Sequence, residues 1–108
     1  MFKTYNIMMK INIQEHDNEV VVALQGELDT VATSKMEAEL RRVTDLSGRQ
    51  LVIDCTGLEY ISSSGLRFFM QLKRESEQRG GTIRLCHLNE DVDEIFHLSG
   101  FHHIFDIA

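Results

Sequence analysis

Residues 51–69 read LVIDCTGLEYISSSGLRFF, which predicts a strand, a turn and the start of a helix in succession. The segment 51–55 is short, apolar and rich in β-branched residues, which indicates a central strand covered on both faces. After a short loop and three serines, helix formers continue to Arg79, and two glycines, Gly80 and Gly81, end the helix. The polar residues therefore fall at a strand-to-helix turn.

Upstream of this stretch, two β-rich segments and a helix are predicted. Residues 7–14 and 19–26 favour an antiparallel hairpin. A first helix is expected over Val31–Leu46, where apolar positions that include Val43 recur at helical spacing. Ser34 and Glu37 match a capping box near its start.

Downstream, the alternation of strand and helix continues. Residues 82–86 predict a fourth strand, and residues 89–100 predict a third helix with an Asn cap and a Gly exit. Residues 104–107 are expected to form an edge strand. Strands reached through helices are parallel, so the chain is α/β, with a mixed sheet of about five strands and about three to four helices.

Length and charge limit the classes of function. The 108 residues fit one domain, and a net charge of -6 without a basic cluster argues against direct nucleic-acid binding. No apolar run is long enough to span a membrane and the start lacks a secretion signal, so we expect no membrane insertion and a cytoplasmic location.

Residues that often serve catalysis or metal binding show no recognisable motif here. Cys55 and Cys86 are interpreted as small, largely buried residues, and Asp54 as an acceptor that stabilises a loop. The five histidines lack zinc-site spacing, and nucleotide and hydrolase motifs are absent from the sequence. We therefore expect no metal, no cofactor and no enzymatic activity.

The serine cluster admits two interpretations with the same geometry. The first turn of a helix leaves N–H groups unpaired and carries partial positive charge. One of Ser62, Ser63 and Ser64 could cap the helix, and a phosphate on one of them could rest there without strain. Asp29 is likewise open to interpretation as a cap or as a binding residue.

Two motifs resemble the STAS domain family, in particular the anti-sigma factor antagonists. The first is a strand ending in VID, followed by SSSGL at residues 62–66, and the second is GELDTVAT at residues 26–33. The likeness covers nearly the whole chain in order and length, and it implies one STAS domain over residues 1–108.

The resemblance also implies site residues. It identifies Ser63 as the phosphoacceptor, with Ser62 and Ser64 as alternatives, and it implies partner contacts through Asp29, the three serines and Gly65. Gly26 is expected to allow a tight turn, and Gly65 a close approach of the partner's backbone. Ser62 stands where the family commonly has Asp.

The implied function is a regulatory switch. The unphosphorylated form would bind an anti-sigma factor that has a histidine-kinase-like ATPase fold and is also a serine kinase, and would thereby release a sigma factor. A serine phosphatase is a further implied partner. The alternative is a STAS subunit that assembles with the cytoplasmic machinery of a membrane transporter without phosphorylation.

Overall fold

The computed structural model describes residues 9–42 and 45–108. Ile7 and Met8 of the predicted hairpin and Val43 of the predicted first helix lie outside the described residues. In chain order the elements are β1 Lys10–Glu15, β2 Glu19–Leu28, α1 Thr30–Leu40, β3 Gln50–Ile61, α2 Ser63–Gln78, β4 Thr82–Cys86, α3 Glu90–Ser99, a 3-10 helix Phe101–His103, and β5 Asp106–Ile107.

The strands form one mixed sheet in the order β1-β2-β3-β4-β5. The first two strands are antiparallel, which confirms the hairpin, and the other three pairs are parallel. Each crossover therefore moves one strand further in the same direction. Because such crossovers are almost always right-handed, all three helices lie on one face of the sheet. Tilted packing of Phe69 of α2 against Phe96 of α3, with ring centroids 6.4 Å apart, is consistent with that arrangement.

Burial along β3 follows from this one-sided cover. Leu51, Ile53 and Cys55 face the helices and are buried, whereas the intervening Val52 and Asp54 are only half-buried. The prediction that this strand is covered on both faces was therefore wrong. Among residues 9–42 and 45–108, no helix lies on the opposite face of the sheet, called here the open face.

The third strand is also longer than predicted. It continues through residues 56–61, which were expected to form a loop, and ends at Ile61 paired with Leu28. Gly26 lies within β2 at φ 112°, where the pairing with β3 shifts register. This glycine therefore lies in a β-bulge inside β2, whereas the sequence predicted a tight turn.

The first helix starts earlier than the capping box suggested. Asp29 Oδ1 accepts a hydrogen bond from the Ala32 N–H at 2.8 Å, so Asp29 is the N-cap and the helix begins at Thr30. Ser34 lies inside the helix, where its hydroxyl donates to the Thr30 carbonyl at 3.4 Å. The capping-box prediction was wrong because Asp29 already caps the helix upstream of Ser34.

The C-terminal half agrees closely with the sequence. The fourth strand has the predicted bounds, and α3 has the predicted Asn89 cap and ends at Gly100 with φ 80°. The edge strand is shorter than expected, at two residues.

Candidate functional site

The motif residues meet at one edge of the sheet. Parallel pairing of β2 and β3 brings their carboxyl ends together, so the helices that follow them start side by side. The Ser62 N–H donates to the Leu28 carbonyl at 2.9 Å, which fixes the start of α2 beside the end of β2. Asp29 and the three serines therefore occupy one surface, called here the serine surface.

Ser62 is the N-cap of α2. Its backbone is extended, with φ -84° and ψ 170°, and its Oγ accepts a hydrogen bond from the Gly65 N–H at 3.1 Å. The side chain is half-buried. This hydroxyl is therefore engaged in holding the helix terminus.

Ser63 is the first residue of α2 and is exposed. Within the described part of the chain, no hydrogen bond involves its hydroxyl. The hydroxyl therefore stands at the positive end of a 16-residue helix and is open to solvent.

Ser64 connects the starts of the two helices. Its Oγ lies 3.2 Å from Thr30 Oγ1 of α1 and accepts a hydrogen bond from Arg67 Nη2 at 3.4 Å. The residue is half-buried. Of the three serines, the two on either side of Ser63 thus have partners within the chain.

Asp29 is exposed and acts as a helix cap, which confirms one of the two interpretations open to it. Its carbonyl also accepts from the Thr33 hydroxyl at 2.7 Å. Since the contact between Thr30 and Ser64 joins the two helix starts, Asp29 belongs to the same surface as Ser63. Its binding role stays a prediction.

Gly65 is buried and faces the interior of the domain. A Cβ at this position would lie 2.8 Å from Ile61 Cγ1 and 3.0 Å from Leu28 Cδ2. The glycine is therefore required for close packing of α2 against the strand ends, a reason different from the approach of a partner that was expected. A contact between Gly65 and a partner stays a prediction.

Two apolar side chains at this edge were missed by the sequence reasoning. Val31, the second residue of α1, is 77% exposed, and Tyr60, next to the last residue of β3, is 45% exposed. Single exposed apolar side chains are common on protein surfaces, and those at this edge are available for contact with a partner. The only sequence signal for Val31 is its place in the first turn of α1, two residues after the cap Asp29, where solvent exposure is common.

Away from this edge, Asp54 is a hydrogen-bond acceptor as expected, but its partner Thr56 lies within β3 and not in the loop that was expected. Its Oδ1 accepts from the Thr56 hydroxyl at 2.6 Å and from the Thr56 N–H at 3.0 Å. The hydrogen bond from the hydroxyl holds the pKa of the Asp54 carboxyl below its ordinary value. Burial raises the pKa of the Cys55 thiol to about 12, so this thiol stays protonated at neutral pH.

The open face holds a grouping that the sequence reasoning missed. Asp54 lies opposite Cys86 in the register of β3 and β4, and His87 follows directly. Contact across two strands depends on register, which spacing along the chain does not show. A second grouping, Asp93, His97 and His102, lies between α3 and the 3-10 helix.

These features define a small α/β domain with an exposed serine at the start of one helix, beside the start of another. The chain belongs to the STAS domain family, whose model matches residues 10–108. Within the described residues, no helix is both long and apolar enough to cross a membrane.

Two similar proteins carry names from one regulatory class. BtrV of Bordetella bronchiseptica, provisionally assigned as an anti-sigma factor antagonist, is 36% identical over 100 residues, covering 93% of this chain and 86% of BtrV. An anti-sigma factor antagonist from Mycobacterium paratuberculosis has a similar fold, with a TM-score of 0.81 at 23% identity over 96% of this chain and 88% of that one.

A third similar structure is Bacillus SpoIIAA, described as a cell fate determinant and solved in its phosphorylated form. It superposes with a TM-score of 0.70 at 22% identity, covering 92% of this chain and 91% of SpoIIAA. These comparisons confirm the predicted STAS fold.

Proposed function

We propose that this protein is an anti-sigma factor antagonist whose binding is switched off by phosphorylation of Ser63. The observation that carries the proposal is the contrast among the serines: Ser62 and Ser64 have hydroxyl partners within the chain, and Ser63 is exposed. A kinase needs a hydroxyl that it can reach without breaking the fold. Ser63 meets that requirement best.

The partner we propose is an anti-sigma factor with a histidine-kinase-like ATPase fold that is also a serine kinase. Support comes from the names of the relatives and from the phosphorylated form of SpoIIAA. Val31 and Tyr60 would supply apolar contact beside the polar residues of the serine surface. A serine phosphatase would restore the unmodified form.

Phosphate would act on binding and not on the fold. A phosphoserine adds about 1.5–2 negative charges. At a helix N-terminus such charge is stabilised by roughly 0.3–1 kcal/mol, so the domain keeps its structure. At an interface the same charge must be desolvated beside Val31 and Tyr60, and binding weakens.

Ser62 gives this site a feature of its own. Where the family pattern has Asp, the capping oxygen here belongs to a hydroxyl and carries no charge. A carboxylate could orient the acceptor or help to hold the kinase's metal, so the partner kinase must supply those interactions itself. The difference predicts that Ser62→Asp increases the rate of phosphorylation.

The proposal is tested with four baits: wild type, Ser63→Ala, Ser63→Asp and Gln78→Glu. The last adds negative charge at the exposed far end of the same helix and serves as the charge control. We expect wild type, Ser63→Ala and Gln78→Glu to capture a kinase-type anti-sigma factor from extracts of the source cell, and Ser63→Asp to capture at least tenfold less.

Mass spectrometry after incubation with that kinase and ATP locates the acceptor. Phosphate at Ser62 or Ser64 alone would contradict the assignment. If all four baits capture a transporter permease equally well, the alternative is favoured. In that case the protein is an assembly subunit that is not phosphorylated.

A further inference from the structure

Three potential metal ligands meet on the open face of the sheet. Asp54 of β3 and Cys86, the last residue of β4, are register partners, so their side chains lie on the same face. His87 follows, and one ligand atom from each of the three lies within 4.8 Å of the others. Asp54 and Cys86 are half-buried and His87 is exposed.

The backbone at His87 explains how this grouping forms. In a strand that continued straight, His87 would point to the face opposite Cys86. Among the described residues it is the one non-glycine residue in the left-handed region, with φ 62°. This turn of the chain brings the imidazole back toward Cys86, and such conformations persist where the surrounding structure requires them.

From this arrangement we propose that Asp54, Cys86 and His87 bind a divalent cation with the preferences of zinc. Carboxylate oxygen, thiolate sulfur and imidazole nitrogen are the zinc ligand types, and three protein ligands leave one position for water. Tetrahedral zinc places its ligands roughly 3.3–3.7 Å apart, so atoms that lie within 4.8 Å of one another need to move closer by at most about 1.5 Å. The exposed His87 side chain can make that adjustment.

Thr56 is the positioning residue of this site. Both of its hydrogen bonds, from the N–H and from the hydroxyl, go to Oδ1 of Asp54. They fix the carboxylate plane, as outer hydrogen bonds do for carboxylate ligands of metals. The single carboxylate makes magnesium and calcium poor fits, since these ions require several oxygen ligands.

The other grouping, Asp93 with His97 and His102, is less suitable. Its two imidazole rings are stacked, with centroids 3.9 Å apart and planes 18° from parallel. A metal bound to an imidazole lies in the plane of the ring, and one ion cannot lie in both planes of a stacked pair. Binding there would require the stack to open.

Cobalt(II) is the probe, because a cobalt–thiolate bond produces a charge-transfer absorption band in the near ultraviolet. The full chain is used without an affinity tag, reduced with a phosphine and titrated with cobalt chloride. We expect the band to saturate at one cobalt per chain and to disappear when zinc chloride is added.

The variants identify the ligands. Cys86→Ser should remove the band, and His87→Gly, which keeps the left-handed backbone available, should weaken cobalt binding at least tenfold. Thr56→Val should weaken it about 10–100-fold, the usual effect of removing an outer hydrogen bond. Cys55→Ala and His97→Gln are matched controls and should bind as wild type does. Circular dichroism checks the fold of each variant.

If Cys86→Ser fails to fold, Asp54→Asn and His87→Gly decide the question, and unchanged cobalt affinity in both would refute the site. The proposal also fails if wild type gives no charge-transfer band, if the band survives in folded Cys86→Ser, or if it is lost in His97→Gln. None of these outcomes depends on the anti-sigma factor or on phosphorylation.

Discussion

Replacing Ser62 with alanine should destabilise the domain, whereas the same change at Ser63 should not. The Ser62 Oγ accepts from the Gly65 N–H at 3.1 Å, and Gly65 is buried. Removing the oxygen leaves that donor without a partner in a place that water reaches poorly. The exposed Ser63 hydroxyl has no partner to lose among the described residues.

The magnitude follows from the capping geometry. Loss of a serine N-cap costs about 0.5–2 kcal/mol, and the burial of Gly65 puts Ser62→Ala at about 1–2 kcal/mol. Ser63→Ala should change the free energy of unfolding by less than about 0.5 kcal/mol, because alanine suits a helix and the site is exposed. For a domain of this size, Ser62→Ala should lower the Tm by about 5–10 °C.

Urea titration followed by far-ultraviolet circular dichroism measures the difference, with an unchanged m-value as the check on two-state unfolding. Ser62→Asp is the matched control, because its carboxylate can accept the same hydrogen bond and should keep stability within about 0.5 kcal/mol of wild type. If the free energies of unfolding of Ser62→Ala and Ser63→Ala differ by less than about 0.5 kcal/mol, then Ser62 is not the capping serine that the structure indicates.

Three further predictions concern the packing at two glycines and the Cys55 thiol. Gly65→Ala should lower the free energy of unfolding by about 1 kcal/mol in the same titration, because a Cβ only 2.8 Å from Ile61 Cγ1 outweighs the gain in helix propensity; a stabilised variant would contradict this. Gly81→Ala should cost about 2–3 kcal/mol, since its Cβ would lie 2.6 Å from the Arg49 carbonyl oxygen; a loss below about 1 kcal/mol would show that the backbone yields easily. Burial raises the pKa of Cys55 from 9.0 to about 12, so the unfolded chain loses this proton first and stability should fall by up to about 1.4 kcal/mol per pH unit as pH rises from 9 to 12. Cys55→Ala should reduce that slope in urea titrations across the range, and an identical slope would mean that other groups cause it.

The sequence predicted the elements whose signals are local. The fourth strand and the Asn89 and Gly100 ends of α3 were placed correctly because alternation, a cap and an exit glycine lie within a few residues of each other. Ser63 was assigned from motif resemblance, and its exposure agrees with that assignment, although its phosphorylation stays a prediction.

What the sequence could not predict depends on strand order and register. The segment before Ile61 resembles a loop because it contains Gly57 and polar residues, yet pairing with the end of β2 keeps it extended. Val52 is only half-buried because all crossovers pass on one side of the sheet, and no local sequence pattern reveals this. Likewise, the approach of Asp54 to Cys86 requires the register of two strands that α2 separates in the chain.

The one-sided cover of the sheet also bears on how such a domain can diverge. Stability rests mainly on the layer that contains Val22, Ile53 and Leu85, all fully buried. The strand neighbours on the other side, such as Val52 and Arg84, contribute less packing. Relatives of this domain can therefore vary the residues of the open face with little loss of folding stability and acquire new ligands there, while the residues of the serine surface are kept.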